Sequence, residues 1–551
     1  MKTITAIILF TLLTLSCTRN NTKIINSSHT IALSSKKSKE GIINQLKSWA
    51  IRDIEKDTIP GISLLRTTEE LLTDKKGTDV IVAVIDMPIK IDHKALKNNT
   101  WKNTNEIAGN NIDDDQNGYI DDIHGWNFIG NSKNENIIFM HYEFTRFLIA
   151  EKMGLPLRPE LASQLPRAQK VYNERMKYAE ENLLGVKKMD SLYYNTKTTL
   201  SSFFPNEKIN ETKLDSLLSS NPKIAEVIEL HKMYQDENVD DSYVANMMLK
   251  AEKRINIQLN LDYDDRAIIG DDVNNLNDRD YGNNNVSHNT EILTHGTKMA
   301  GVIVSPFGEE SLQNIMKHIK IMPLPISGLG DENDKDMALA IRYAADNGAD
   351  IINISSGKYF SLHEDWVHDA IKYAESKDVL IVVSSGNVGI DLDAEPKYRY
   401  PNDNSITDKT EISNNFMRIG TSNYTLDSTF VHPATNYGKT EVDIFAPGEE
   451  IYTATSIKNE DYAYGSGTSE AAAFVSKSAA IIKCYYPKLK AHQIKDILLK
   501  TGVQYNIEVS MKDSLDNNIK IPFNELSKTG SVVNVYNALV LAESLTTNSS
   551  N

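Results

Sequence analysis

The stretch Asp79–Ile85, DVIVAVI, is a near-continuous run of apolar, mostly β-branched residues, and it constrains the fold of this chain more than any other feature. A strand with one wet face alternates polar and apolar residues. A run without alternation must be covered on both faces, as in a parallel sheet flanked by helices. Similar runs recur at Ile319–Leu324, Ala349–Ile354 and Val379–Ser384, and helical segments separate them, clearest over Asp334–Asn347 and His363–Ser376. The alternation predicts an α/β fold, a doubly wound parallel sheet between two helical layers. In such sheets functional groups collect at the carboxyl ends of strands. Asp86, Ser355 and Asn387 all follow such ends.

The region 131–281 breaks this rhythm. It is rich in Lys, Glu, Leu and Tyr, and apolar residues recur at helical spacing through Leu165, Ala168, Tyr172, Met176, Ala179 and Leu183. We expect a mostly helical inserted subdomain there, either a surface elaboration or a lid over a groove, with Asp262–Asp280 forming loops. A net charge of −16 over 551 residues offers no basic excess for nucleic acid. Two cysteines, Cys17 and Cys484, exclude a disulfide framework.

Residues 1–17 combine a cationic start at Lys2 with an apolar run from Ile4 to Leu15, too short to span a bilayer. They read as an export signal ending at a bacterial lipoprotein cleavage site, with Cys17 acylated after processing; an ordinary signal peptide ending near Ser16 is the alternative. Residues 18–48 read as a tether, with folded structure beginning near Trp49. The expected location is the bacterial cell envelope, lipid-anchored at the outer membrane and facing either the periplasm or the outside.

Four short strings carry chemistry: Asp86, His295-Gly296-Thr297, Ser385-Gly386-Asn387 and Gly467-Thr468-Ser469. A serine hydroxyl is a weak nucleophile until an imidazole takes its proton, and a carboxylate must orient that imidazole. The oxyanion that then develops needs fixed donors. Ser469 precedes the small, apolar run that begins at Ala471, as at the start of a buried helix, where free N–H groups favour negative charge.

In these strings, and in Ile81–Asp92, Asp350–Gly357, Val442–Gly448 and Gly465–Ala480, the chain resembles the subtilisin-like serine proteases, the subtilases. The resemblance implies a three-layer doubly wound parallel sheet of the subtilisin type, built from residues 49–130 and 282–545 with 131–281 inserted and 546–551 as a tail. It implies a serine endopeptidase working through an acyl-enzyme, with Asp86 orienting the base, His295 the base and Ser469 the nucleophile. Asn387 and the Ser469 N–H would donate to the oxyanion. Ser355, Ser356 and Gly357 would pair with substrate and border its main specificity pocket.

Several neighbours depart from the family pattern. Met87-Pro88 replaces a hydroxyl residue followed by Gly, so one N–H beside Asp86 is lost. Lys298 stands where a second histidine is frequent, Glu470 replaces a methionine and Ala473 a proline. A charge at Glu470 would raise the His295 pKa, and a Lys298–Glu470 ion pair would offset it. A catalytically impaired binding protein on the same fold is the alternative these changes allow.

Asp113, Asp115, Asn117, the Tyr119 carbonyl and Asp121 fall at the first five alternate positions of a calcium loop, with Gly118 at the sharp turn. His124 occupies the twelfth position instead of Glu, so we expect a looser structural Ca²⁺ site, with Asp122 as an extra ligand. The chemistry itself requires no cofactor. The expected partners are protein or peptide substrates and, through the lipid, a membrane; the expected state is monomeric.

Overall fold

The computed structural model describes residues 46–205, 207–289, 292–394, 399–404, 410–457, 460–513 and 517–548. The signal sequence, Cys17 and most of the tether fall outside the described residues.

The central sheet has eight strands: β1 (Val80–Asp86), β2 (Ile319–Pro325), β3 (Ile351–Ile354), β4 (Leu380–Ser384), β5 (Phe416–Ser422), β6 (Ile444–Pro447), β9 (Val503–Gln504) and β12 (Ser531–Val532). Their order is β2-β1-β3-β4-β5-β6-β12-β9. Every pairing is parallel except β12 with β9. Two small antiparallel hairpins lie outside it, β7 (Ile451–Ala454) with β8 (Tyr462–Gly465) and β10 (Glu508–Lys512) with β11 (Asn518–Pro522).

Side chains alternate across a strand, and here each alternate set meets a different helical layer. Val80, Val82 and Val84 pack with α7 (Thr294–Val304), α10 (Thr468–Tyr485), α11 (Ala491–Thr501) and α12 (Val535–Asn548). Ala83 and Ile85 face the opposite layer, α8 (Asp334–Asp346) and α9 (Glu364–Ser376). The result is the three-layer α/β sandwich anticipated from the unalternating strands. Asp86 continues the Val82–Val84 set, so its side chain is on the side of α7 and α10. That parity decides which helices supply the rest of the site.

Strand β5 escapes the apolar-run criterion because it carries Arg418. That guanidinium is buried and neutralised within the fold by Glu441, at 2.7 Å, a cost accepted only where a partner is in place.

Between β1 and α7 no strand of the main sheet occurs among the described residues. The chain there forms α1's successors in order: after α1 (Leu64–Leu71), which precedes β1, come α2 (Glu143–Lys152), α3 (Leu165–Phe203), α4 (Glu211–Ser220), α5 (Ala225–Asp236) and α6 (Asp241–Lys253). The ends of this segment meet: Asn127 and Asn283 exchange backbone hydrogen bonds of 2.8 and 3.1 Å, and the Gly282 N–H donates to the Gly130 carbonyl at 2.7 Å. The long α3 touches the core near the end of β3, where the Arg167 guanidinium covers the Phe360 ring at 4.1 Å and donates to the Tyr359 carbonyl. No described helix is long and apolar enough to cross a membrane.

Candidate active site

The chain leaving β1 and the first turn of α7 come into direct contact because position 296 is glycine. A Cβ there would lie 2.3 Å from the Met87 carbonyl oxygen and 3.1 Å from that of Pro88. With that approach, His295 Nδ1 sits 2.6 Å from Asp86 Oδ1. A carboxylate only accepts, so Nδ1 carries the proton and Nε2 is left as the ring's basic nitrogen. Asp86 is 1% exposed, and its Oδ1 also accepts the Met87 N–H at 2.7 Å. Its Oδ2 is buried without a partner among the described residues. Met87 and Pro88 explain this locally: the pair supplies one N–H and no hydroxyl.

Ser469 enters at the second residue of α10, behind Gly467 and Thr468. Its hydroxyl donates to the Ser355 carbonyl at 2.8 Å, and Ser355 Oγ donates back to the Ser469 carbonyl at 3.0 Å. No hydrogen bond joins Ser469 to His295 among the described residues.

Asn387 projects from the loop after β4 and is exposed. Its Oδ1 accepts the Thr468 N–H at 3.0 Å and the Thr468 hydroxyl at 3.1 Å. A backbone N–H can only donate, so the amide orientation is determined: Nδ2, a donor, is the end left for a ligand. Thr468 Oγ1 in turn accepts the Gly386 N–H at 3.0 Å. Thr468, to which the sequence reading gave no role, is the clip that joins the β4 loop to α10.

Of the residues anticipated to contact substrate, Ser355 is tied to Ser469 as above. The Ser356 carbonyl accepts from Arg399 at 3.3 Å, and the Gly357 backbone N–H and C=O make no hydrogen bond among the described residues. Arg399 carries no motif and was not anticipated.

Burial pulls the His295 pKa down, but the hydrogen-bonded Asp86 carboxylate more than offsets it. Glu470 adds in the same direction and Lys298 opposes, leaving the imidazole raised to about 9. Glu470 is itself buried, which pushes its carboxyl up while His295 pulls it down. The expected Lys298–Glu470 ion pair does not form: Lys298 Nζ donates to the Tyr464 carbonyl at 3.0 Å, and no ion pair links it to Glu470 among the described residues. The hairpin β7–β8 offers the ammonium a closer acceptor.

The acidic loop is laced by its own hydrogen bonds. Both Asp121 carboxylate oxygens are occupied by backbone N–H groups, Oδ1 by Gly109 and Asn110 and Oδ2 by Asn111. Asn117 Oδ1 accepts the Tyr119 N–H, and Asp122 is taken by Asn103, Asn117 and Tyr343. Glu106, whose oxygens likewise accept the Asp114, Asp115 and Asp121 N–H groups, joins Asp113 and Asp115, one carboxylate oxygen of each lying within 4.8 Å of the others. These hard oxygen donors suit Ca²⁺. Glu106 lies seven residues before the loop motif, where spacing rules do not look.

Comparison with known proteins adds family evidence. The subtilase family (Peptidase_S8) model matches residues 77–519. The chain is 31% identical over 234 residues to a cell wall-associated protease of Bacillus subtilis (strain 168), covering 42% of this chain and 24% of that one. It is 30% identical over 196 residues to a thermophilic serine proteinase of Bacillus sp. (strain AK1), covering 35% and 43%. The chain thus spans less than half the length of these relatives. Among solved structures it is similar to one of the subtilase cytotoxin SubAB assembly, at TM-score 0.36 and 23% identity over 46% of this chain and 78% of that one.

Titration of the His295 ring by NMR is expected to show a midpoint near 9. Glu470→Gln lowers it and Lys298→Met raises it, because each removes one neighbouring charge. Because the folded pKa is raised, this group's contribution to stability is complete below the unfolded value of about 6.5 and fades as pH climbs through about 9. A midpoint near 6.5 in all three proteins would contradict this electrostatic account.

Proposed function

The chain belongs to the subtilase family, and from that premise we propose that it is a serine endopeptidase hydrolysing peptide bonds of protein substrates. The observation that carries the reading is the 2.6 Å contact of His295 Nδ1 with buried Asp86, made beside the helix start that bears Ser469. In this mechanism a substrate carbonyl enters beside Ser469, whose hydroxyl leaves the Ser355 carbonyl and turns to His295 Nε2. The imidazole takes its proton as Oγ attacks, and Asp86 holds the resulting imidazolium. Asn387 Nδ2 and the Ser469 N–H donate to the oxyanion, the second at a helix N-terminus that favours negative charge. His295 then protonates the leaving amine, and water resolves the acyl-enzyme by the same steps in reverse.

Casein and peptide hydrolysis by wild type, abolished in Ser469→Ala, is the direct test. A loss on the order of 10³-fold or more in kcat is expected, the scale known from subtilisin itself. Equal activity in both proteins sinks the reading, and no activity in either favours a binding role on the same fold. Because the base must be neutral, kcat/KM is expected to rise with pH toward about 9, and Glu470→Gln moves that rise to lower pH.

A structural Ca²⁺ held by Glu106, Asp113 and Asp115 belongs to the same reading. It would tie the 106–121 loop to the layer where Tyr119 packs edge-on against Trp126 and Tyr343. Free calcium at about a hundred times its Kd is expected to stabilise the fold by ~2.7 kcal/mol. The accompanying rise in unfolding temperature should vanish in Asp113→Ala. An unchanged wild-type melting curve with and without calcium would end the idea.

Export and lipid anchoring at Cys17 complete the reading, supported by the sequence of residues 1–17. In a bacterial host, wild type should incorporate an alkyne-tagged fatty acid and sediment with membranes, whereas Cys17→Ser should do neither. Label retained in Cys17→Ser would overturn the anchor.

A further inference from the structure

Arg399 is only 4% exposed, and its guanidinium lies between the two strand-end loops that flank Ser469. Nε donates to the Ser385 carbonyl at 3.1 Å. Nη2 donates to the carbonyls of Ser356 and Ser384, each at 3.3 Å, and to Ser384 Oγ at 3.2 Å. Nη1 donates to nothing among the described residues, and no described carboxylate forms an ion pair with this side chain.

A buried charge of this kind ordinarily has a counter-ion, and the neighbouring cations follow that rule. Lys358 pairs with Asp334 at 2.8 Å and Glu143 at 3.2 Å, and Arg418 pairs with Glu441 at 2.7 Å. Lys477, buried beneath α7, escapes the rule differently: burial drives its pKa well down, so the amine can shed its proton. A guanidinium cannot. Glu332 and Asp331 influence Arg399 only through space, and burial pushes the Glu332 carboxyl up to about 7, leaving it part-protonated at neutral pH.

The place of Nη1, which has no acceptor among the described residues, is defined by Gly357. A Cβ at that glycine would lie 2.0 Å from Nη1, so nothing separates the guanidinium from the backbone of Gly357. That backbone is unpaired among the described residues and lies two residues after Ser355, whose carbonyl accepts the Ser469 hydroxyl. On the other side, Nε holds the Ser385 carbonyl two residues before Asn387. An extended substrate laid along Gly357, with its scissile carbonyl at Asn387 and Ser469, therefore directs the side chain beside that carbonyl toward Arg399.

We propose that Arg399 determines specificity by receiving the carboxylate of a Glu or Asp at the substrate residue that supplies the scissile carbonyl. The inference rests on the endopeptidase reading for the identity of the ligand. A charge-assisted hydrogen bond from a buried guanidinium discriminates strongly against an uncharged isostere, because the neutral amide leaves that charge uncompensated.

The test measures binding and turnover separately on the full chain. Capped octapeptides differing only at this position (Glu, Gln, Leu or Lys) are titrated into Ser469→Ala, and the same set is offered to wild type for cleavage. A preference for Glu over Gln of about tenfold or more is expected in both assays, with Lys worst. In the Arg399→Gln background the Glu:Gln ratio should collapse toward one while the Leu peptide keeps its value. Equal binding of Glu and Gln peptides to Ser469→Ala overturns the proposal, as does a preference that survives Arg399→Gln. If Arg399→Gln fails to fold, Arg399→Lys, which keeps a cation but loses the fork, should retain a weaker Glu preference; the absence of any preference in it and in wild type is equally fatal. Binding selectivity without wild-type cleavage would refute the endopeptidase reading and leave the pocket assignment standing.

Discussion

The hydrogen bond between His295 and Asp86 depends on how closely α7 can approach the end of β1, and that approach depends on Gly296. The backbone of Met87 and Pro88 occupies the volume any side chain at 296 would need. Once the helix is seated there, the remaining groups follow from the sheet. The even-numbered side chains of β1 face the layer that contains α10, so Asp86, His295 and Ser469 converge on one side. The loops after β3 and β4 reach the same point from neighbouring parallel strands. Ser355 and Asn387 then fasten these loops to the start of α10 through Ser469 and Thr468.

The charges around this centre are less balanced than its geometry. Asp86 Oδ2 is a buried acceptor with no partner among the described residues, a kind of defect that costs about 1–3 kcal/mol. Glu470 and Asp86 both favour the imidazolium, and Lys298, engaged with the Tyr464 carbonyl, only partly opposes them. In the proposed mechanism a base whose pKa is raised toward about 9 is mostly protonated, and so slow, at neutrality. Substrate carrying a carboxylate to Arg399, as proposed, would supply negative charge to a guanidinium that has no ion pair among the described residues.

Much of this was legible in the chain because burial leaves a plain signature. Strands β1 to β4 announce themselves by largely apolar runs, interrupted within the strands only by Lys320 and Asn353 before the polar residue that ends β1 and β4, and their ends point to Asp86, Ser355 and Asn387. The strands and contacts that depend on partners distant in sequence were not legible. β5 hides because Arg418 is neutralised by Glu441, and Arg399 carries no motif because three of its four acceptors are backbone carbonyls, which any residue type supplies. The acidic loop shows the same limit: alternate spacing selects Asp113 and Asp115, but it has no means of finding Glu106 beside them. The ion pair assigned to Lys298 failed for a related reason, since a carbonyl of the β7–β8 hairpin lay closer.

The most direct measurement of the central claim is mass-spectrometric mapping of a fluorophosphonate adduct on the intact protein. Ser469 activated by His295 and Asp86 predicts a single adduct on Ser469, formed with a rate that rises toward pH 9 and is lost in His295→Ala. An adduct on another serine, or labelling of Ser469 that is indifferent to His295, would contradict it.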